Sequence, residues 1–226
     1  MPYNGRMFVS AAEIRDSLGL DGTYASGPYS DTNIGSNIRA ATSYLERKTG
    51  RQFTKQDDTA KTFTTHNRAA LTIPDLQSVS SVTENGTALV ANESYFLIPD
   101  RMSSGIFTAI AFRVPSQRRD GPEYLHNPEW WDRGLDWRRY GPYESEHNDV
   151  VVTGDWGYDE VAGLLLPEDA KHAIKVLSQF YTKRVDSVLS GFSVTPEGAV
   201  LSYRELPMEV RQFIEEWTLG EQVTAV

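Results

Sequence analysis

Four acidic residues, Asp149, Asp155, Asp159 and Glu160, crowd around Gly154 and Gly157. Carboxylates grouped in this way are the residue type that ligates calcium or activates water at a metal, yet their spacing is not that of an EF-hand loop. A solvated acidic turn is the expected reading of them. The four histidines, His66, His126, His147 and His172, form no H-E-x-x-H pattern, and no two of them lie one helical turn apart. The chain has no cysteine, which excludes disulfides, thiolate zinc sites and cysteine nucleophiles. No G-x-S-x-G elbow, phosphate-binding glycine loop or dinucleotide fingerprint occurs. The expectation is a protein that is not an enzyme, with no catalytic residue, no resident metal and no cofactor. A metal-dependent hydrolase built on the acids between Asp149 and Glu160 is a competing reading.

The most unusual chemistry lies in residues 115–148. Three of the five tryptophans, Trp130, Trp131 and Trp137, sit there beside Arg138 and Arg139. Trp and Arg are enriched where proteins dock, because each covers a large area and still hydrogen-bonds or stacks. These five residues, with Trp217, are the expected contacts to a neighbouring subunit or partner. A nucleic-acid contact through stacking and phosphate pairing is possible in principle, but Asp120, Glu123, Glu129, Asp132, Asp136, Glu144 and Glu146 dilute the positive charge. A loop folded back on its own sheet is the bland alternative. A carbohydrate-binding or tail-associated recognition module is another.

The elements that must position these groups are helical at both ends of the chain and β-rich between. Ser10 and Glu13 have capping-box spacing, with Val9 and Ile14 as a hydrophobic staple, so a short helix is expected over Ala11–Leu18. Asp31 is the expected cap of a longer helix whose apolar stripe runs Ile34, Ile38, Ala41, Leu45 and which stops at Gly50. Short β-type runs follow: 62–65, 70–73, 79–83, 88–90, 95–98, 106–114 and 149–153. Asn85-Gly86 is a strong hairpin signal. Pro167 opens a third helix, with Ala170, Ala173, Ile174, Leu177 and Tyr181 on its buried face. A hairpin is expected around Pro196-Glu197-Gly198, and Pro207 opens a last helix that Gly220 ends. The expected class is α+β: a small helical bundle made by the N- and C-terminal helices, with an inserted β-rich module. The expected divisions are 1–58, 59–155 and 156–226.

With 226 residues the chain is long enough to bury a sizeable core, and 39% hydrophobic against 23% charged residues is ordinary globular usage. No signal peptide is recognisable, and no apolar run approaches the roughly 20 residues that span a bilayer. The net charge of −9 gives no overall attraction for nucleic acid, though a local basic patch remains possible.

Residues 149–158, Asp-Val-Val-Val-Thr-Gly-Asp-Trp-Gly-Tyr, followed by Pro167 and a helix, resemble the head–tail connector adaptor proteins, or head-completion proteins, of long-tailed bacteriophages and gene transfer agents. The opening Phe8–Gly19, the Thr49-Gly50-Arg51-Gln52-Phe53 exit of the second helix and the hairpin over Phe192–Tyr203 are similar to that family too. The resemblance covers both ends well and the middle loosely; the Trp/Arg segment and the spacer Val161–Leu166 depart from it. It implies a structural virion protein of the neck, made in the host cytoplasm. It further implies a homo-oligomeric ring of twelve subunits around the DNA channel, joining the portal protein to a tail-side connector or stopper protein, with transient, non-specific passage of DNA and no membrane. It marks Arg51, Gly154, Trp156, Gly157 and Tyr158 as a structural turn motif, with Trp156 and Tyr158 expected to pack on the helical core and Arg51 to cap carbonyls or pair with an acid of that turn. Trp217–Val226 is similar to the part that engages the portal.

Overall fold

The computed structural model describes residues 8–20, 22, 26–65, 70–101, 103–112, 148–159, 163–187, 192–194, 200–202 and 206–219. Among the described residues four helices, α1 (Ala11–Ser17), α2 (Asp31–Thr49), α3 (Glu168–Ser187) and α4 (Met208–Trp217), flank a β-rich middle. Its strands are β1 (Gln56–Thr65), β2 (Ala70–Glu84), β3 (Thr87–Ala88), β4 (Tyr95–Pro99), β5 (Phe107–Phe112) and β6 (Asn148–Trp156). A separate pair, β7 (Phe192–Val194) and β8 (Val200–Ser202), precedes α4. The class is α+β.

The helix ends follow the expected chemistry, with one shift. At α1 the Ser10 side chain accepts from the Glu13 N–H at 3.1 Å while Glu13 accepts from the Ser10 N–H at 2.6 Å. At α2 the cap is Ser30, not Asp31: Ser30 is extended and accepts from the Asn33 N–H, which makes Asp31 the first helical residue. Asp31 there suits the positive end of the helix dipole. Gly50 closes α2 in the left-handed conformation at φ 71°. Helix α4 stops at Trp217, before the expected glycine.

The terminal helices bury their stripes against one another. Val9, Ile14, Ile34, Ile38, Leu45, Ile174, Leu177, Val210, Phe213 and Trp217 join Phe53 and Tyr158 in one buried cluster. A second cluster, with Phe63, Leu71, Ile73, Val82, Ile110, Val152 and Trp156, lies within the sheet.

The antiparallel sheet has the order β1-β6-β2-β5-β4, with β3 on β2. The runs expected over 70–73 and 79–83 are one continuous strand, and its two halves have different partners. Leu71 pairs with Ile110 of β5, and Val82 with Val152 of β6. A straight β2 is impossible. Thr65 is level with Asn148, and Glu84 with Val150. At about 3.3 Å per residue, a straight strand would put Ala70 roughly 50 Å from the level of Thr65. The five steps from Thr65 to Ala70 reach at most about 18 Å. β2 therefore bends back on itself. Pro74 supplies the place, inside the register break between Thr72 and Leu76 where no ladder hydrogen bond is owed. Asn85 and Gly86, both at positive φ (49° and 80°), make the tight turn into β3.

Candidate functional site

The bend in β2 has a chemical product. It turns Asp75 out of the ladder and toward the exit of α2, where Arg51 waits. Arg51 Nη1 donates to Asp75 Oδ1 at 2.8 Å, and Nη2 donates to Asp100 Oδ1 at 3.2 Å. Nε donates to the Trp217 carbonyl at 3.0 Å. The Tyr158 hydroxyl donates to the same Asp75 oxygen at 3.0 Å and shares a 3.0 Å hydrogen bond with the Ser103 hydroxyl. The other Asp75 oxygen accepts from the Gln52 N–H at 2.9 Å. The Arg51, Asp75 and Asp100 side chains are only 5%, 0% and 6% exposed. Four segments meet at one guanidinium, the exit of α2, the bend of β2, the exit of β4 and the end of α4, and the turn after β6 joins them through Tyr158 on Asp75.

Burial decides the electrostatics. It raises the Asp75 carboxyl, and Arg51, the Gln52 N–H and the Tyr158 hydroxyl pull it only part of the way back. Burial also works against the Arg51 charge, but Asp75 and Asp100 together outweigh it and hold the guanidinium protonated. The Tyr158 hydroxyl is pushed well above its usual range, first by burial and then by Asp75. It therefore stays a proton donor. A buried arginine with two carboxylates is tolerable because all four carboxylate oxygens accept hydrogen bonds and the guanidinium donates four.

A second polar chain runs beside this node. Glu46 Oε1 accepts from the N–H groups of Phe53 (2.9 Å) and Thr54 (2.7 Å) and from Gln52 Nε2 at 3.2 Å. Lys61 Nζ donates to Gln52 Oε1 at 2.8 Å and sits 4.5 Å from the centroid of Trp156. Burial pushes the Lys61 ammonium down to about 8, although Glu46 and Asp75 oppose the shift.

The glycines of the turn motif are there for close approach. Gly154 is a strand residue, not part of the turn, and a Cβ on it would stand 2.1 Å from the Ser78 carbonyl oxygen. Gly157 makes the turn at φ 80°, and its Cβ would stand 2.3 Å from the Thr54 carbonyl oxygen. The turn splits the two aromatics. Tyr158 enters the helical core, but Trp156 does not: it packs in the sheet, 6.1 Å from Phe63, with its indole N–H donating to the Thr59 carbonyl at 2.7 Å.

The other expected site residues fall as follows. Trp130, Trp131, Trp137, Arg138 and Arg139 lie outside the described residues, as do Glu160, His66, His126 and His147. Trp217, expected at an interface, is 2% exposed and packs against Phe53 and Phe213, because the apolar face of α4 has the helical core to cover. Arg51 does pair with acids and cap a carbonyl, but with Asp75, Asp100 and Trp217, not with the acidic turn. That turn is dispersed: Asp149 accepts from the Thr64 hydroxyl, Asp155 from the Asp58 N–H and the Ser78 hydroxyl, and Asp159 pairs with Lys55. Among the described residues no three acidic or histidine side chains gather as a metal site. Nor is any helix among them long and apolar enough to cross a membrane. The sequence reading missed Asp75, Asp100, Glu46 and Ser103. One signal existed for Asp75: a Pro-Asp pair interrupting the run from Leu71 to Leu76 marks a bulge and a buried charge.

Among the described residues these groups pair, cap and stack with one another. Their chemistry is that of a joint. No family model matches the chain, and no curated protein matches it. Its fold is found among solved structures. A chain in the neck of an empty gene transfer agent particle, computed with C6 symmetry, is 18% identical at a TM-score of 0.52, covering 98% of this chain and 96% of that one. A chain in the virion of a native gene transfer agent particle is 18% identical at a TM-score of 0.48, covering 96% of this chain and 91% of that one. At such identities the likeness is one of fold: nearly the whole chain follows the path of a gene transfer agent neck chain.

Proposed function

We propose that this chain is a non-enzymatic structural subunit of a phage or gene transfer agent neck, an adaptor that assembles into a ring joining the capsid portal to the tail around the DNA channel. The observation that carries the reading is the shared fold with a gene transfer agent neck chain across almost the full length of both chains. The buried joint at Arg51 agrees with it, because a subunit under mechanical load needs its helical and β parts locked together more than it needs a pocket. A closed ring requires head-to-tail contacts between unlike surfaces. Twelve copies, matching a twelve-fold portal, are compatible with the six-fold symmetry used for that neck. The partners are further copies, the portal protein and a tail-side connector or stopper; residues 115–148, with their tryptophans and arginines, are the proposed contact segment. Electron microscopy of the purified chain mixed with its portal tests the reading. An annular complex with the portal's rotational symmetry is expected. A chain that stays monomeric and ignores the portal overturns it.

A further inference from the structure

Asn85 and Gly86 hold a reaction that needs no partner protein. The sequence has two Asn-Gly pairs, Asn4-Gly5 and Asn85-Gly86, and the second is exposed at the tip of the β2–β3 hairpin. In such a pair the backbone nitrogen of the glycine is the nucleophile nearest the asparagine carboxamide carbon. No Cβ shields it, and at Gly86 an added Cβ would meet nothing within 4 Å. The fold turns the carboxamide elsewhere. Asn85 meets Asp149 of β6 twice: its N–H donates to the Asp149 carbonyl at 2.9 Å, and its side-chain oxygen accepts from the Asp149 N–H at 3.0 Å. The carboxamide oxygen stands in for a backbone carbonyl and extends the β2–β6 ladder one position past Glu84 and Val150. Asp149 is held from the other side as well, because its carboxylate accepts from the Thr64 hydroxyl of β1 at 2.9 Å.

We propose that Asn85 is a site of spontaneous deamidation that the docking of β6 silences. The deprotonated Gly86 nitrogen attacks Asn85 Cγ, an N–C bond forms, and the Cγ–Nδ2 bond breaks to release ammonia. The five-membered imide that results takes up one water and opens at either carbonyl, to aspartate or to isoaspartate. Water is the only co-reactant, and nothing is oxidised or reduced. To cyclise, the carboxamide must swing from Asp149 to Gly86, so the bond to the Asp149 N–H has to break first. The folded chain therefore reacts only through its locally open population. Isoaspartate lengthens the backbone inside a two-residue turn whose register, Glu84 opposite Thr87, leaves no place for an added atom. A chain that lingers before β6 docks is thus altered at the position where β6 must later bind. This inference goes beyond the neck reading and does not require it.

The test is peptide mapping by mass spectrometry of the full chain, kept in mildly alkaline buffer either native or in guanidinium chloride. In denaturant, Asn85 and Asn4 should convert to the acid at similar rates. In the native chain Asn85 should convert at least about tenfold more slowly than in denaturant. Asp149→Pro removes the N–H that holds the carboxamide and keeps the carbonyl that accepts from Asn85. With a thermal melt to establish that it is folded, its native conversion at Asn85 should rise severalfold. Gly86→Ala shields the nitrogen and should slow conversion in denaturant. Four results overturn the proposal: no conversion of Asn85 in denaturant, native conversion as fast as in denaturant, a folded Asp149→Pro chain that converts no faster than the natural one, or a Gly86→Ala chain that converts unslowed. Faster conversion in the native chain also overturns it, since the Asp149 N–H would then be a donor to the developing oxyanion. If Asp149→Pro does not fold, the native and denatured rates of the natural chain decide alone.

Discussion

Arg51 and Trp217, 166 residues apart, are joined twice: the guanidinium donates to the Trp217 carbonyl at 3.0 Å and lies 4.9 Å from the centroid of the same residue's indole ring. The carbonyl belongs to the last turn of α4, where the backbone has no helical partner of its own. The cation satisfies it and complements the negative helix end at the same time. Just beyond, the Leu219 N–H donates to the Thr49 carbonyl at 2.9 Å. The end of α4 is thereby fastened to the end of α2.

Replacing Arg51 with Met removes the cation that pairs with the buried Asp75 and Asp100 carboxylates. Removing one partner of a buried ion pair costs about 3–5 kcal/mol, and urea denaturation should show a loss of that size. Arg51→Lys should recover little of it, because an ammonium cannot reach two carboxylates and a carbonyl in the planar geometry of a guanidinium. A lysine variant as stable as the natural chain would refute this account of the node.

Trp217→Ala should cost about 3–5 kcal/mol as a core truncation, with ring assembly affected only as far as folding is. Full stability with lost assembly would instead return Trp217 to a subunit interface. Denaturant midpoints alongside sizing of the assembly distinguish the two.

Much of the helical part was legible because its signals are local. The capping box at Ser10 and Glu13, the stripe from Ile34 to Leu45 and the glycine stop at Gly50 depend on neighbours within one or two turns. The site was legible only in part, because its partners are remote. Arg51 stood out, but its acids lie 24 and 49 residues away on a strand bend and a strand exit. Periodicity carries no information about such distances. Trp156 and Tyr158 both suit a core by type, but lying two residues apart on opposite sides of a turn sends them to different ones.

Alanine at the glycines should separate clash from backbone strain. At Gly86 the φ is 80° but nothing lies within 4 Å of a new Cβ, so Gly86→Ala should cost only about 1 kcal/mol. Gly157→Ala adds a 2.3 Å collision with the Thr54 backbone to a similar φ, and Gly154→Ala a 2.1 Å collision with the Ser78 backbone. Both should cost several times the Gly86 value by chemical denaturation. Equal costs at the three positions would mean that the strands separate easily.

Lys61 makes stability depend on alkaline pH. Its ammonium is pushed down by burial to about 8, below the roughly 10.4 of an unfolded lysine. The unfolded chain therefore binds this proton more tightly, and stability from this group rises between about pH 8 and pH 10.4 and is lost as pH falls through 8. Lys61→Met should remove that rise. Thermal melts of both chains from pH 7 to 10 should converge at the alkaline end in the natural chain's favour; parallel curves would show that the lysine is freely solvated.

The strand order has a consequence for biosynthesis. β6 lies between β1 and β2 and pairs with both, yet it leaves the ribosome more than 60 residues after either is complete. Neither earlier strand can substitute for it, since each meets β6 and not the other. A nascent chain must carry both unsatisfied edges until Trp156 emerges, and only then does the β-rich part close. Such late, long-range closure is slow compared with helix formation, so productive folding of this chain favours slow translation through its middle or a chaperone that shields strand edges.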